Sequence, residues 1–119
     1  MPIGELAAIT LDAREPKELA EFYCKVTGWD VLFSSDDFTY VGPAGTPRLA
    51  FQRVTDHTAP QWPDSAKQFH LDFKVAGLDE AERELLDLGA TKPEFQPGGE
   101  KWRVLNDPAG HQFCITVFS

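Results

Sequence analysis

An α+β fold built from two tandem β-α-β-β-β modules is what the sequence predicts, and three observations predict it. Segments of strict apolar alternation alternate with two amphipathic helical stretches, each helix stops at a glycine, and a Pro-Ala-Gly turn recurs ahead of a strand-like run in each half. The two copies read "GPAGTPRLAFQ" at 42–52 and "DPAGHQFCITV" at 107–117. The helix-stopping residues Gly28 and Gly89 lie 61 positions apart and the two Pro-Ala-Gly turns 65 apart, so a duplicated module accounts for both spacings. A chain of 119 residues that is 42% hydrophobic holds one core of ordinary size, and a single domain over 1–119 is expected.

The elements follow in order. Residues 6–12 alternate, with Ile9 and Leu11 on one face and Ala8, Thr10 and Asp12 on the other, which predicts a strand. "EPKELAEFYCKVTG" sets Leu19, Phe22, Tyr23 and Val26 on one stripe, opens with Pro16 at a first helical position and ends at Gly28. The pieces "WDVLFSS", "DFTYV" and "RLAFQRV" predict three more strands, separated by the turn clusters "SSDD" and "GPAGTP". Residues 55–66, "TDHTAPQWPDSA", carry two prolines and no periodicity and are expected to link module one, about 5–54, to module two, about 67–118. There "FHLDFKV" alternates, and "LDEAERELLDLG" predicts a second helix with Asp79 and Glu82 in capping-box spacing and Ala81, Leu85 and Leu88 on one stripe. "KPEFQ", "KWRVLN" and "HQFCITVF" are expected to complete the module as strands.

Charge and cysteine usage bound the function. Nineteen acidic against eleven basic residues give a net charge of −8, which opposes phosphate backbones and anionic membrane surfaces, is compatible with a cationic ligand, and first of all serves solubility. No apolar run approaches the roughly 20 residues that cross a bilayer, and "MPIGELAAITLDAREP" turns polar before a signal-peptide core forms, so a soluble, cytoplasmic chain is expected. Cys24 and Cys114 have neither disulfide-framework nor CxxC spacing, and reduced thiols are expected. A nucleophile elbow, a P-loop and a dinucleotide fingerprint are all missing from the sequence, which sets aside the hydrolase, kinase and Rossmann classes.

The segments "FYCKVTGW", "LAFQRV", "FHLDFKV", "LLDLGA" and "WRVLNDPAGHQFCI" together resemble the vicinal oxygen chelate superfamily of glyoxalase I, bleomycin-resistance proteins and extradiol dioxygenases, and more narrowly its small bacterial glyoxalase-like domains. The resemblance covers nearly the whole chain. It implies sheets that curl into a cleft with the helices outside, in a homodimer. If Leu71, Phe73 and Val75 pack under a helix, the pleat turns His70, Asp72 and Lys74 into the cleft. It likewise turns Ala8, Thr10 and Asp12, then Arg48, Ala50 and Gln52, then Gln112, Cys114 and Thr116 to the concave side, and Phe51, Phe113 and Ile115 to the helices.

In metal-dependent members, the resemblance implies, the ligand positions fall at Ala8, at Ala50 with Gln52 beside it, at His70 and at Cys114. Only His70 matches a ligand type that the family uses there, and a mononuclear catalytic site needs about three protein ligands. Three readings of His70 stay open: a polar contact in a metal-free pocket, a structural histidine near a dimer seam, and a metal ligand with Cys114 and Gln52. Asp72 stands roughly 6–7 Å along the strand from His70, too far for a direct bond unless a side chain reaches back. Trp29, Phe33, Phe38, Tyr40, Phe95 and Trp102 are expected mostly in the core, with Trp62 on the linker as a lid and Trp102 available to a ligand. His57 and His111 are expected on the surface, and Arg48, Arg53 and Arg103 in surface ion pairs.

The expected function is therefore a glyoxalase-like protein that binds a small organic molecule through Gln52, Trp62, His70, Trp102 and Cys114, without a catalytic metal and without glyoxalase I activity. Two alternatives remain. One is a glyoxalase I-type lyase or isomerase using zinc, nickel, manganese or iron; the other is a metal-free isomerase or epimerase with His70 or Asp72 as base.

Overall fold

The computed structural model describes residues 8–43, 45, 47–59 and 70–117. The chain divides into two compact units, Met1–His57 and Thr58–Ser119. The first contains β1 (Ala8–Ala13), α1 (Pro16–Thr27), β2 (Asp30–Ser34), β3 (Phe38–Gly42) and β4 (Arg48–Arg53), its four-stranded sheet ordered β1-β4-β3-β2. β1 runs parallel to β4 with Thr10 opposite Ala50, and β3 is antiparallel to β4 with Tyr40 opposite Ala50.

Helix α1 starts and stops where the sequence predicts. Pro16 needs no amide partner in the first turn, and Gly28 closes the helix at φ +77°, its N–H donating to the Cys24 carbonyl at 2.8 Å. Leu19, Ala20, Phe22 and Tyr23 are buried, while Val26 is only half-buried. The Tyr23 ring stacks on Phe51 with centroids 5.6 Å apart and 11° between planes, and Phe22 meets Tyr23 edge-on at 5.0 Å. Leu11, Ala13, Val41, Leu49 and Phe51 complete this core.

The aromatic residues of the opposite sheet face correct the expectation that strand aromatics are core. Phe33 is 55% and Phe38 36% exposed, and both ring contacts of Tyr40, to Phe33 at 6.0 Å and Phe38 at 6.4 Å, lie on that face. A single helix covers a single face: α1 takes the side that carries Phe51 and leaves Phe33, Phe38 and Tyr40 on the other.

The second unit holds β5 (Leu71–Lys74), α2 (Leu78–Asp87), β6 (Trp102–Asn106) and β7 (Gln112–Thr116), its three-stranded sheet ordered β5-β7-β6. β5 runs parallel to β7 with Asp72 opposite Cys114, and β6 is antiparallel to β7 with Val104 opposite Cys114. Phe113 and Ile115 are buried on the helix side, where Phe73 meets Phe113 edge-on at 5.7 Å. The turn into β7 is organised by Asp107, whose Oδ1 accepts from the amides of Ala109 at 2.9 Å and His111 at 3.0 Å while Gly110 takes φ +90°. In the matching first copy, Ala44 and Thr46 lie outside the described residues.

Two expectations for this unit are overturned. The capping box does not form: Gly77 is the N-cap of α2 and no side-chain cap bond is made. Asp79 and Glu82 instead hold Arg103, with Asp79 Oδ1 2.6 Å from Nη2 and Glu82 Oε1 3.2 Å from Nη1, and Lys92 adds a contact to Glu82 at 3.1 Å. Arg103 stands on the helix side of β6, where its guanidinium offers each carboxylate an opposite full charge rather than a backbone dipole, and the bond to Asp79 raises its pKa further above the ordinary arginine value.

Nor is "KPEFQ" a strand. Thr91 makes one isolated bridge to Asn106, and Pro93, with no N–H to donate, ends the ladder there. Gln96 replaces the missing strand with its side chain. Its Oε1 accepts from the Val104 amide at 3.0 Å, and its Nε2 donates to the carbonyls of Val104 at 2.8 Å and Pro93 at 2.9 Å. Gln96→Ala leaves two main-chain groups of Val104 without these partners, so a loss of about 1–3 kcal/mol is expected in urea denaturation. A loss below a few tenths would mean that water substitutes at no cost.

Candidate functional site

The sheet face of the second unit turned away from α2 carries a cavity of about 410 Å³, lined by His70, Asp72, Pro97, Trp102, Val104, Cys114 and Thr116. The register explains the grouping. Asp72 and Val104 flank Cys114 on either side, and Trp102 lies opposite Thr116, so these side chains stand on one pleated face. The alternation expected for His70, Asp72 and Lys74 holds, since all three are exposed while Leu71, Phe73 and Val75 are half-buried.

Contrary to the spacing of an extended strand, His70 and Asp72 touch: Nε2 lies 3.2 Å from Oδ1. His70 precedes the first paired residue of β5, so its backbone is not fixed by the ladder and its ring can turn toward Asp72. Cys114 closes the group from β7, at 6% exposure. One donor atom from each of His70, Asp72 and Cys114 lies within 4.8 Å of the others. Among the described positions that the resemblance implied as ligands, Ala8 and Ala50 offer no side-chain donor, and Ala50 is buried.

Trp102 forms the apolar wall. It is 38% exposed, and its indole and carbonyl oxygen pack so closely on the backbone of Gly98 that a Cβ there would overlap both. Pro97 continues the wall, held at the edge of β6 by the neighbouring Gln96 clamp. Sequence reasoning missed Pro97 and Val104. Alternation from Trp102 could have found Val104, whereas Pro97 follows the "KPEFQ" segment and lies in no predicted element.

The remaining predicted residues lie elsewhere. Gln52 is exposed on β4, opposite Asp12 and Phe38. Trp62 lies outside the described residues. His57 and His111 are half-buried rather than at the surface, and Phe95 is 46% exposed beside the Gln96 clamp. Arg53 approaches Glu15 at 4.0 Å. Cys24, half-buried in α1, has its thiol pKa raised by burial and then by the nearby charges of Asp30 and Glu21. No described helix is long and apolar enough to cross a membrane.

Comparison with known proteins adds a match between residues 8–116 and the model of the glyoxalase-like domain. No curated protein matches the chain. Among solved structures, a glyoxalase-related enzyme from Fulvimarina pelagi is 21% identical, with a TM-score of 0.67, 96% of this chain covered and 88% of that one. The bleomycin-binding protein of Streptomyces verticillus, complexed with copper(II)-bleomycin, is 20% identical over 100% of both chains with a TM-score of 0.60. Lactoylglutathione lyase from Agrobacterium tumefaciens is 17% identical over 98% of this chain and 95% of that one, with a TM-score of 0.62. At these identities the likeness is one of fold, and the fold hosts more than one activity.

Proposed function

We propose that this chain, which belongs to the glyoxalase-like domain family, binds a small organic molecule in the cavity of its second unit. One observation carries the reading: an apolar wall of Pro97, Trp102 and Val104 faces the polar pair His70 and Asp72 across about 410 Å³, a volume and a lining that suit a small-molecule site. Ala8 and Ala50 favour binding over glyoxalase I-type turnover, because two positions where that chemistry would draw ligands offer none. Asp72 and the net charge of −8 favour a neutral or cationic ligand with a ring to lay on Trp102. The same charge opposes nucleic acid and anionic membranes. In this reading the chain acts in the cytoplasm as a homodimer. The neighbour that holds copper(II)-bleomycin illustrates how large a molecule the fold can accommodate.

A thermal-shift panel of aromatic and heteroaromatic compounds, cationic ones included, tests the reading. A ligand present at 100 times its Kd is expected to stabilise the protein by about 2.7 kcal/mol. Trp102→Ala should remove that shift. If no compound of cavity size stabilises the protein, the binding reading falls.

A further inference from the structure

The cavity of the second unit holds a nucleophile that binding alone does not use. We infer that the Cys114 thiol adds to the conjugated double bond of an α,β-unsaturated carbonyl compound held against Trp102, with the His70 imidazole taking the thiol proton and returning it to the adduct. The inference rests on the cavity being a small-molecule site and gives that site a reactive class of ligand. Cys114 stands on the central strand of the β5-β7-β6 sheet and is only 6% exposed, yet it lines the cavity, so a molecule lodged there meets its sulfur. The parallel register sets Asp72 across from Cys114, and His70 Nε2 lies 3.2 Å from Asp72 Oδ1. A ring nitrogen of His70, a carboxylate oxygen of Asp72 and the sulfur of Cys114 lie within 4.8 Å of one another.

The thiolate, not the thiol, is the nucleophile, so the addition first needs a base within reach of the sulfur. Asp72 accepts from Nε2–H of His70, and that bond leaves the second ring nitrogen to take a proton. His70 precedes the first paired residue of β5, and its exposed ring turns the remaining distance to Cys114. The step balances within the site. The S–H bond breaks, its proton goes to the imidazole, and its electron pair forms the bond from sulfur to the β-carbon. The π pair of the double bond moves to the α-carbon, which takes the proton back from the imidazolium. Nothing is oxidised or reduced and no group leaves, so one base that also returns a proton is enough. Pro97, Trp102 and Val104 give the flat conjugated ligand an apolar surface to lie on.

The test treats the reduced full chain with benzylideneacetone and follows the intact mass, with borohydride added before digestion so that the adduct survives peptide mapping. A gain of one whole probe on Cys114 is expected, at a rate that saturates with probe concentration. Its second-order rate constant should exceed that of N-acetylcysteine about a hundredfold. Cys24→Ser keeps the reaction and Cys114→Ser abolishes it. His70→Ala lowers the maximal rate about a hundredfold with little change in the half-saturating concentration. Asp72 is a positioning residue acting through His70, and Asp72→Asn lowers the maximal rate about tenfold with the same split; a purely structural role would move half-saturation or stability instead. Because Cys114 is buried and its variant can disturb the fold, the two exposed positions carry the test independently. No adduct in the parent protein, its loss in Cys24→Ser, a rate no faster than that of N-acetylcysteine, or an unchanged maximal rate in His70→Ala or in Asp72→Asn overturns the inference. Benzylacetone, the saturated analogue, separates this failure from that of the binding reading: if it raises thermal stability while benzylideneacetone forms no adduct, the cavity binds and the thiol chemistry falls.

Discussion

Phe51→Ala is expected to lower the unfolding free energy by about 3–5 kcal/mol, a large part of the 5–15 kcal/mol that a domain of ordinary stability possesses. The ring is fully buried on β4, stacked on Tyr23 at 5.6 Å, and it stands between Leu11 of β1 and Thr39 of β3, both buried. Truncation removes the transfer energy of an aromatic ring and opens a cavity. The surroundings close it poorly, because a helix lies above and strands lie on either side. Urea denaturation followed by circular dichroism measures the loss, and a value under about 1 kcal/mol would show that α1 settles onto the sheet and refills the space.

Gly98→Ala has the second large effect, and its target is the cavity. An added Cβ meets the Trp102 indole and the Trp102 carbonyl oxygen, so both a side chain and a strand backbone must shift. Overpacking of this kind costs about 1–3 kcal/mol. The wall moves with it: any compound found to stabilise the parent should lose most of its shift, and the environment of the Trp102 indole, read from its NMR resonance, should change. An alanine variant with parent-like stability and an unmoved indole signal would mean that the 97–99 segment swings out freely, and Trp102 would not then be a fixed wall.

Where periodicity acts through a packed face, the sequence was readable. The alternation of Leu71 and Phe73 against His70 and Asp72 put the right residues on the right face, and Cys114 and Thr116 followed from the same rule. Pro16 and Gly28 marked α1 because backbone chemistry permits little else at those places. What stayed hidden depended on partners distant in sequence. The bonds of Asp79 and Glu82 to Arg103 defeated a local capping pattern, and the reach of Gln96 to Val104 took the place of a strand that "KPEFQ" resembled. The contact between His70 and Asp72 needs a residue just outside the ladder, which strand spacing alone does not describe. The exposure of Phe33 and Phe38 depends on which sheet face α1 covers, and hydrophobicity does not encode that choice.

Strand β2 has a consequence for colloidal behaviour. It is the outer strand of the β1-β4-β3-β2 sheet, all of its residues are exposed, and Val31, Leu32 and Phe33 stand in a row on it. Such a strand offers unpaired main-chain groups and apolar side chains to any other extended chain, which is how self-templated aggregation begins. Three features of the molecule counter it. The register slips between Val31 and Phe33, so the edge is not regular. Asp30 precedes the apolar run, and Asp36 and Asp37 follow Ser34 and Ser35 as charged gatekeepers. The net charge of −8 adds repulsion between copies, and salt screens it within about 8–10 Å. Protection of that edge therefore weakens as ionic strength rises or pH falls toward the pI near 4.7, even where the fold itself is intact.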